Sequence, residues 1–269
     1  MQDKLTEYLE RFENTEEFND FIYERFTAVV NEIEFLKAHR DFIEKKSLGF
    51  GDRAFHFMWY LIIADLIQKD IKLSFLEIGV FKGQVISLWA LIAKQLNRPD
   101  IEITGITPLE GKTKVESLIL RRIKMLISKK YREDEKNGNF YESVNYYSII
   151  KSLFDHFLLD FSRINIIKGY STEDDVIHKA NNMKYSLIYI DGDHSYTGVM
   201  SDIKNYSSML AEDGYFVMDD ASCHIPGTKF WKGHLAVSDA CKRLPEFGFK
   251  NVLNVGHNRV YQKAKYEFK

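Results

Sequence analysis

The chain has 269 residues, 45% of them hydrophobic, which is enough to fill one substantial core and makes a single main domain the expectation. Lys and Arg number 37 against 39 Asp and Glu, so the net charge of −2 gives no general attraction to nucleic acid or an anionic membrane, and neither is an expected partner. Cys223 and Cys241 are too few for a disulfide framework and lack zinc-type spacing, which excludes a disulfide-stapled fold and suits a reducing compartment.

The opening MQDKLTEYLERFENTEEF is charged throughout and has no apolar run of the secretory type. Apolar positions Phe18, Phe21, Ile22, Phe26, Val29, Val30, Ile33 and Leu36 recur at helical spacing, so residues 1 to about 46 are predicted helical. A second helix is predicted from Asp52 to Lys69, after the break at Gly49 and Gly51. Its apolar stretch, Phe55 to Ile67, is interrupted by His56 and Asp65 and is too short to span a bilayer, so a cytoplasmic protein is expected. Residues 1–70 are thereby read as a helical cap or oligomer surface, and 71–269 as the main domain.

From Ser74 the periodicity changes. Ser74–Val80 reads as a buried strand running into a glycine turn, with a helix from Val85 to Gln95. Strands follow at Ile101–Ile106 and Ile164–Ile167, a helix at Asp174–Ala180, a strand at Ser186–Ile190, a helix at Gly198–Leu210 and a strand at Gly214–Met218. A helix at Leu235–Leu244 and two strands, Lys250–Val255 and Arg259–Lys263, close the chain. This alternation predicts an open α/β sheet of the doubly wound, Rossmann-like type, mostly parallel and covered on both faces. An insertion at about 112–161 is longer than a crossover requires. Within it Arg121–Lys130 and Ser148–Phe161 look helical and Arg132–Asn139, with Gly138, looks like a loop; a lid and a packing or dimerisation pair are both compatible.

Three strand ends carry the chemistry. In Phe75-Leu76-Glu77-Ile78-Gly79-Val80-Phe81-Lys82-Gly83, a buried strand meets two glycines four apart and then a helix, so a ligand can lie against bare backbone at the carboxyl end of the strand. The dinucleotide pattern G-x-G-x-x-G is not matched, because Phe81 and Gln84 occupy two of its glycine positions. Leu187-Ile188-Tyr189-Ile190 ends in Asp191-Gly192-Asp193-His194, and Tyr215-Phe216-Val217-Met218 ends in Asp219-Asp220. The separation of Asp191 and Asp219 suits one crossover helix and a return to the neighbouring parallel strand. Asp191, Asp219 and Asp220 would then repel one another unless a cation or proton sat among them, and carboxylate oxygens favour Mg²⁺ or a similar divalent ion. Helix capping is the structural alternative for these residues.

LEIGVFKG, IKGYS, LIYIDGDHSY and GYFVMDD, in that order, resemble the class I S-adenosylmethionine-dependent methyltransferases, and more narrowly the family of macrocin and other sugar O-methyltransferases. The resemblance spans roughly residues 70 to 263. It implies a seven-stranded sheet with an antiparallel last strand, S-adenosylmethionine in the loop of Glu77, Gly79, Val80 and Gly83 with Asp191 close by, and Mg²⁺ at Asp191, Asp219 and Asp220. It also makes Gly169, Tyr170 and Ser171 candidates near the adenine. Where many relatives end the second strand in an acid that grips the ribose, this chain has Thr107-Pro108, so Thr107, or Glu110 in its vicinity, is the candidate.

Methyl transfer from a sulfonium is an in-line displacement that gains most from aligning the acceptor oxygen. His194 or Asp191 is the expected base, and a cation-bound hydroxyl of a sugar or other small molecule the expected acceptor. The segment Cys223–His234 is expected to cover the acceptor, with Trp231 or Phe230 as an apolar wall and His224 or His234 as a polar contact. His56 and His257 stand isolated and read as structural. Two rivals stay open: a metal-dependent glycosyltransferase built on Asp191-Gly192-Asp193, and a non-catalytic subunit of the same fold. A homo-oligomer is compatible with the amphipathic N-terminal helices.

Overall fold

A computed structural model describes residues 3–69, 71–111, 118–129, 131–132 and 144–264. The predicted loop Arg132–Asn139, apart from Arg132, and residues 112–117 of the insertion lie outside the described residues. Seven strands form one sheet: β1 Ser74–Ile78, β2 Glu102–Thr107, β3 Ile164–Lys168, β4 Tyr185–Ile190, β5 Leu210–Met218, β6 Phe249–Val255 and β7 Asn258–Lys263. Their order is β3-β2-β1-β4-β5-β7-β6. The first five are parallel, and β7 runs antiparallel to both β5 and β6. The chain builds outward from β1 on one side and then returns to lay β4 on the other, so β1 and β4 straddle the reversal point where open α/β sheets bind ligands.

The helices are α1 Leu5–Glu10, α2 Glu16–Glu32, α3 Glu34–Lys46, α4 Ala54–Gln68, α5 Gln84–Gln95, α6 Leu118–Ile127, α7 Tyr146–His156, α8 Asp174–Ala180, α9 Tyr196–Tyr206 and α10 Leu235–Cys241. Alternation along each strand assigns them to faces. Phe75, Leu187, Tyr189, Tyr215 and Val217 point into a cluster with α1 to α5 and α7, whereas Leu76, Ile188, Ile190, Phe216 and Met218 join α8, α9 and α10. By the same alternation Glu77 belongs to the first face. Trp59 and Trp89 meet edge to face there at 5.3 Å, both buried, and truncating either to Ala would cost about 3–5 kcal/mol. Among the described residues no helix is long and apolar enough to cross a membrane.

Several boundaries differ from the sequence reading, each for a local reason. The N-terminal segment is three helices: Thr15 caps α2, and Ile33, in extended conformation, is the joint to α3. The helix expected from Gly198 starts at Tyr196 because the Ser195 hydroxyl accepts from the Gly198 N–H at 3.1 Å. It ends at Tyr206, a 3-10 turn covers Ser207–Met209, and Leu210 already begins β5. The helix expected over Ser148–Phe161 is capped earlier, by Asn145, and stops at His156, where Leu158 turns into positive φ.

Candidate active site

Two cavities open at the carboxyl ends of the strands. The smaller, about 160 Å³, lies against the ends of β1, β2, β3 and β4 and is lined by Gly79, Val80, Thr107, Gly169, Tyr170, Ser171 and Asp191 among others. The larger, about 440 Å³, lies between the ends of β1, β4 and β5 and the helices α4 and α5. Gly79, Phe81 and Asp191 border both, so they form the neck between them.

Backbone geometry makes the neck. The N–H groups of Gly79 and Val80 donate to the Ile106 carbonyl at 3.0 and 3.3 Å, and the Asp191 N–H donates to the Ile78 carbonyl at 2.8 Å. At Gly79 φ is +101°, and a β-carbon would fall 1.8 Å from the Asp191 carbonyl oxygen, so only glycine fits. The glycine bend foreseen from the sequence thus stands beside the acidic end of β4. Gly83 does something else: it is the N-cap of α5 at φ +86°, packed against Ile150, and lines neither cavity. Glu77 lines the larger cavity and not the smaller one, as its sheet face requires. Thr107 is buried, and its hydroxyl accepts from the Leu109 N–H at 3.3 Å within its own turn. Glu110 borders the smaller cavity but is held by Lys168 at 2.6 Å.

The acidic ends converge as the strand register demands. Ile190 pairs with Met218, which sets Asp191 and Asp219 side by side, and the Asp219 N–H donates to the Ile190 carbonyl at 3.0 Å. Imidazoles complete the cluster. His194 Nε2 lies 3.7 Å from Asp191 Oδ1 and 3.4 Å from Asp220 Oδ2, and His234 Nε2 lies 3.5 Å from Asp220 Oδ2. From the other side His257 Nε2 approaches Asp219 Oδ1 at 3.4 Å and Asp220 Oδ1 at 3.6 Å. The His194 and His234 rings stack, with centroids 4.6 Å apart.

Two tertiary devices bring in the distant histidines. Asp220 adopts φ +52°, and its carbonyl accepts from the His234 N–H at 2.8 Å; a β-carbon on Gly233 would fall 2.2 Å from that carbonyl oxygen. His257 sits with Gly256 in the tight turn between β6 and β7, and its carbonyl accepts from the Ala221 N–H at 2.8 Å. His257 is therefore buried and belongs to the cluster, contrary to the isolated role expected of it. His56 is not isolated either: it pairs with His39 and lines the larger cavity.

The covering loop sorts the remaining candidates. Trp231 lines the cavity and meets His257 and His234 edge to face at 5.1 and 5.4 Å, whereas Phe230 is buried against Tyr23. His224 lies outside, paired with Asp239 at 2.8 Å. The loop is clamped by α2, where both carboxylate oxygens of Asp20 accept from the Thr228 N–H at 2.8 and 3.0 Å and Oδ1 also accepts from the Lys229 N–H at 3.1 Å. These bonds outweigh burial and hold Asp20 below the usual carboxylate range.

Crowded charge dominates the electrostatics. Burial first, then the charges of Asp219 and Asp191, push Asp220 up to about 9. Asp191 is raised well above its ordinary value by burial and by the charges of Asp219 and Glu77. Glu77 reaches about 8, again from burial, and its Oε2 has no hydrogen-bond partner among the described residues. Asp219 Oδ1 is likewise buried and without a hydrogen bond among the described residues, with His257 Nε2 3.4 Å away. Among the described residues, donor atoms close enough to share one cation come from Asp219, Asp220 and His257 on one side and from His194, Asp220 and His234 on the other; Asp191 is in neither group, although its side chain meets that of Asp219, and this mix of carboxylate and imidazole donors fits a divalent cation. The glycine-floored cavity beside them, walled by Ile106, Pro108 and Tyr170, fits the adenosyl half of a methyl donor.

Comparison with known proteins accords with this geometry. A family model described as a methyltransferase domain matches residues 76–221, more than half of the chain. The chain belongs to this family and is a class I S-adenosylmethionine-dependent methyltransferase. It is 26% identical over 170 residues to the uncharacterized protein R132 of Acanthamoeba polyphaga mimivirus, covering 62% of this chain and spanning 61% of that protein's length. Among solved structures it is similar to the O-methyltransferase NovP, with a TM-score of 0.56 at 15% identity over 78% of this chain and 79% of that one. The calicheamicin methyltransferase CalS11 gives 0.56 at 13% identity over 98% of both chains. An O-methyltransferase from Bacillus cereus with S-adenosylhomocysteine gives 0.51 at 13% identity over 90% and 100%. At such identities the likeness is one of fold.

Proposed function

We propose that this methyltransferase acts on a hydroxyl oxygen of a small molecule, a sugar or a glycosylated metabolite, with Mg²⁺ or a similar divalent cation held by Asp191, Asp219 and Asp220. The observation that carries the reading is the join between the cavities: a glycine-floored chamber meets a larger one lined by the acidic ends of β4 and β5, and Asp191 borders both. Gly79, Val80, Thr107, Gly169, Tyr170 and Ser171 would take the adenosyl half of the donor, leaving the sulfonium to face the larger chamber through the neck. A divalent cation at the aspartates would lower the pKa of an acceptor hydroxyl and fix its direction.

The protein's own groups handle the rest. His194, 3.4 Å from Asp220 and 3.7 Å from Asp191, stands beside the aspartates and would take up the proton of a hydroxyl held there. Trp231 offers a flat apolar face to an acceptor, as a sugar ring's C–H surface requires, and shields the reacting atoms from water. CalS11 is described as a TDP-rhamnose 3'-O-methyltransferase, which supports a sugar as the acceptor class. The family, that of methyltransferases, counts against the glycosyltransferase alternative.

Incubation with radiolabelled S-adenosylmethionine and a panel of TDP-deoxysugars tests the acceptor class. Transfer to at least one of them is expected, abolished by EDTA and restored by Mg²⁺ or Mn²⁺, while calorimetry shows S-adenosylhomocysteine binding within about threefold of its metal-loaded value. Transfer undiminished in EDTA would remove the cation from the mechanism.

A further inference from the structure

The insertion between β2 and β3 carries a helix whose apolar side faces solvent. In α6, Leu120, Ile123 and Ile127 recur three and four residues apart, with Leu126 beside them, so they form one stripe. Helix α5 has apolar residues at the same kind of spacing and buries them. In α6, by contrast, Leu120 and Ile123 are 51% and 47% exposed, and Leu126 and Ile127 are 80% and 77% exposed. Among the described residues no helix or strand packs along α6. Its end is nonetheless built: the Arg132 guanidinium donates to the carbonyls of Met125 and Leu126 at 2.9 and 3.0 Å, satisfying groups that a last helical turn leaves open.

Charge is segregated on the same segment. Between Glu116 and Glu133 the sequence holds no acidic residue, whereas Arg121, Arg122, Lys124, Lys129, Lys130 and Arg132 all fall there. The overall charge of −2 hides this local excess. At about 3.6 residues per turn, Arg122 falls on one flank of the stripe, next to Leu126, and Lys124 on the other, next to Leu120. Basic side chains so placed can run along an apolar surface and still hold their charge in a polar layer above it.

An apolar stripe flanked by cations on both sides is complementary to an apolar layer lying beneath a negatively charged one. A polyanion in solution would satisfy the cations and leave the stripe in water. A second copy of this chain, docked through the same helix, would set cations against cations.

We propose that α6 is a docking helix for an anionic lipid surface, with Leu120, Ile123, Leu126 and Ile127 entering the boundary between headgroups and acyl chains and Arg122 and Lys124 meeting the headgroup charge. The inference concerns where the enzyme works, and it stands whichever acceptor or cation the enzyme takes.

Flotation of the full chain with vesicles of equal parts phosphatidylglycerol and phosphatidylcholine, and with vesicles of phosphatidylcholine alone, tests it. Binding to the anionic vesicles is expected to be at least about tenfold tighter than to the neutral ones, and to weaken as salt is raised. Leu126→Glu/Ile127→Glu should weaken it at least about tenfold with the melting temperature unchanged, since both side chains stand in water. No binding to either vesicle, equal binding to both, or undiminished binding of a folded double variant would overturn the proposal. Hydrogen exchange of the wild-type chain gives a second reading that needs no variant: amides of Leu118–Ile127 should gain protection when anionic vesicles are added. Protection gained from S-adenosylhomocysteine alone, with no vesicle binding, would assign the helix to the enzyme's own cavity. Protection gained on concentration-dependent dimerisation, again with no vesicle binding, would assign it to a second copy, and either result overturns the proposal.

Discussion

The two cavities of this enzyme are built in opposite ways. The smaller is made of turns that directly follow β1, β2, β3 and β4, with its floor at Gly79 and Gly169, both at positive φ. The larger is made of side chains brought from distant segments: Asp52 and His56 near α4, Glu77 on β1, His194 after β4, Asp219 and Asp220 after β5, His234 beyond the loop and His257 from the last hairpin. A backbone-floored site holds a conserved kind of ligand by shape and depends on a few glycines. A site of converging charges can be tuned one side chain at a time, and its cost is electrostatic.

The sharpest way to break that contrast is a substitution on each side of the neck. Asp219→Asn should lower turnover by at least about 100-fold while S-adenosylhomocysteine binding stays within a few-fold, since the residue borders only the larger cavity. Gly79→Ala should abolish donor binding and destabilise the fold by about 3 kcal/mol, because its β-carbon meets the Asp191 carbonyl at a φ that L-residues avoid. Turnover, calorimetry and denaturant melts separate the two. Comparable loss of donor affinity in both variants would erase the division of labour.

A smaller effect sharpens the assignment of the acceptor to the outer end. Trp231→Ala is expected to raise the acceptor KM about tenfold, the scale of one lost apolar wall, with donor affinity unchanged. An unchanged acceptor KM would take Trp231 out of the pocket's working surface. The mildest prediction concerns pH. His39 and His56 have folded-state pKa values depressed below the unfolded value near 6.5, so the unfolded chain binds more protons in acid. Their stabilisation is complete above about pH 6.5 and is lost as pH falls below it. A His39→Phe/His56→Phe double variant should flatten that part of the stability curve in denaturant melts taken between pH 5 and 7.

How much of the site was legible depended on how local its cause was. Gly79, Val80, Asp191, Asp219 and Asp220 could be found in the sequence because strand, turn and acid are contiguous there and period-2 burial ties each to a strand end. Glu77 was found as a donor-binding candidate; counting alternation from Phe75 places it on the face covered by α4 and α5, where it lines the larger cavity. Gly83 was read as a ligand contact when its left-handed φ serves the start of α5. His257 had no local signal, since a glycine–histidine pair in a hairpin turn usually points to solvent, and here the Ala221 N–H draws that turn onto β5.

By itself the sequence determined the order and type of the elements, the doubly wound class and the two acidic strand ends, because hydrophobic periodicity, glycine positions and crossover lengths are properties of neighbouring residues. Only the tertiary structure decided that three histidines from separate elements join the aspartates, that His39 and His56 share one hydrogen, and that two chambers meet at Gly79. Those outcomes depend on which faces pack together and on how far charges and bare ring nitrogens lie from one another once buried, and no window of the chain holds both partners of such a pair.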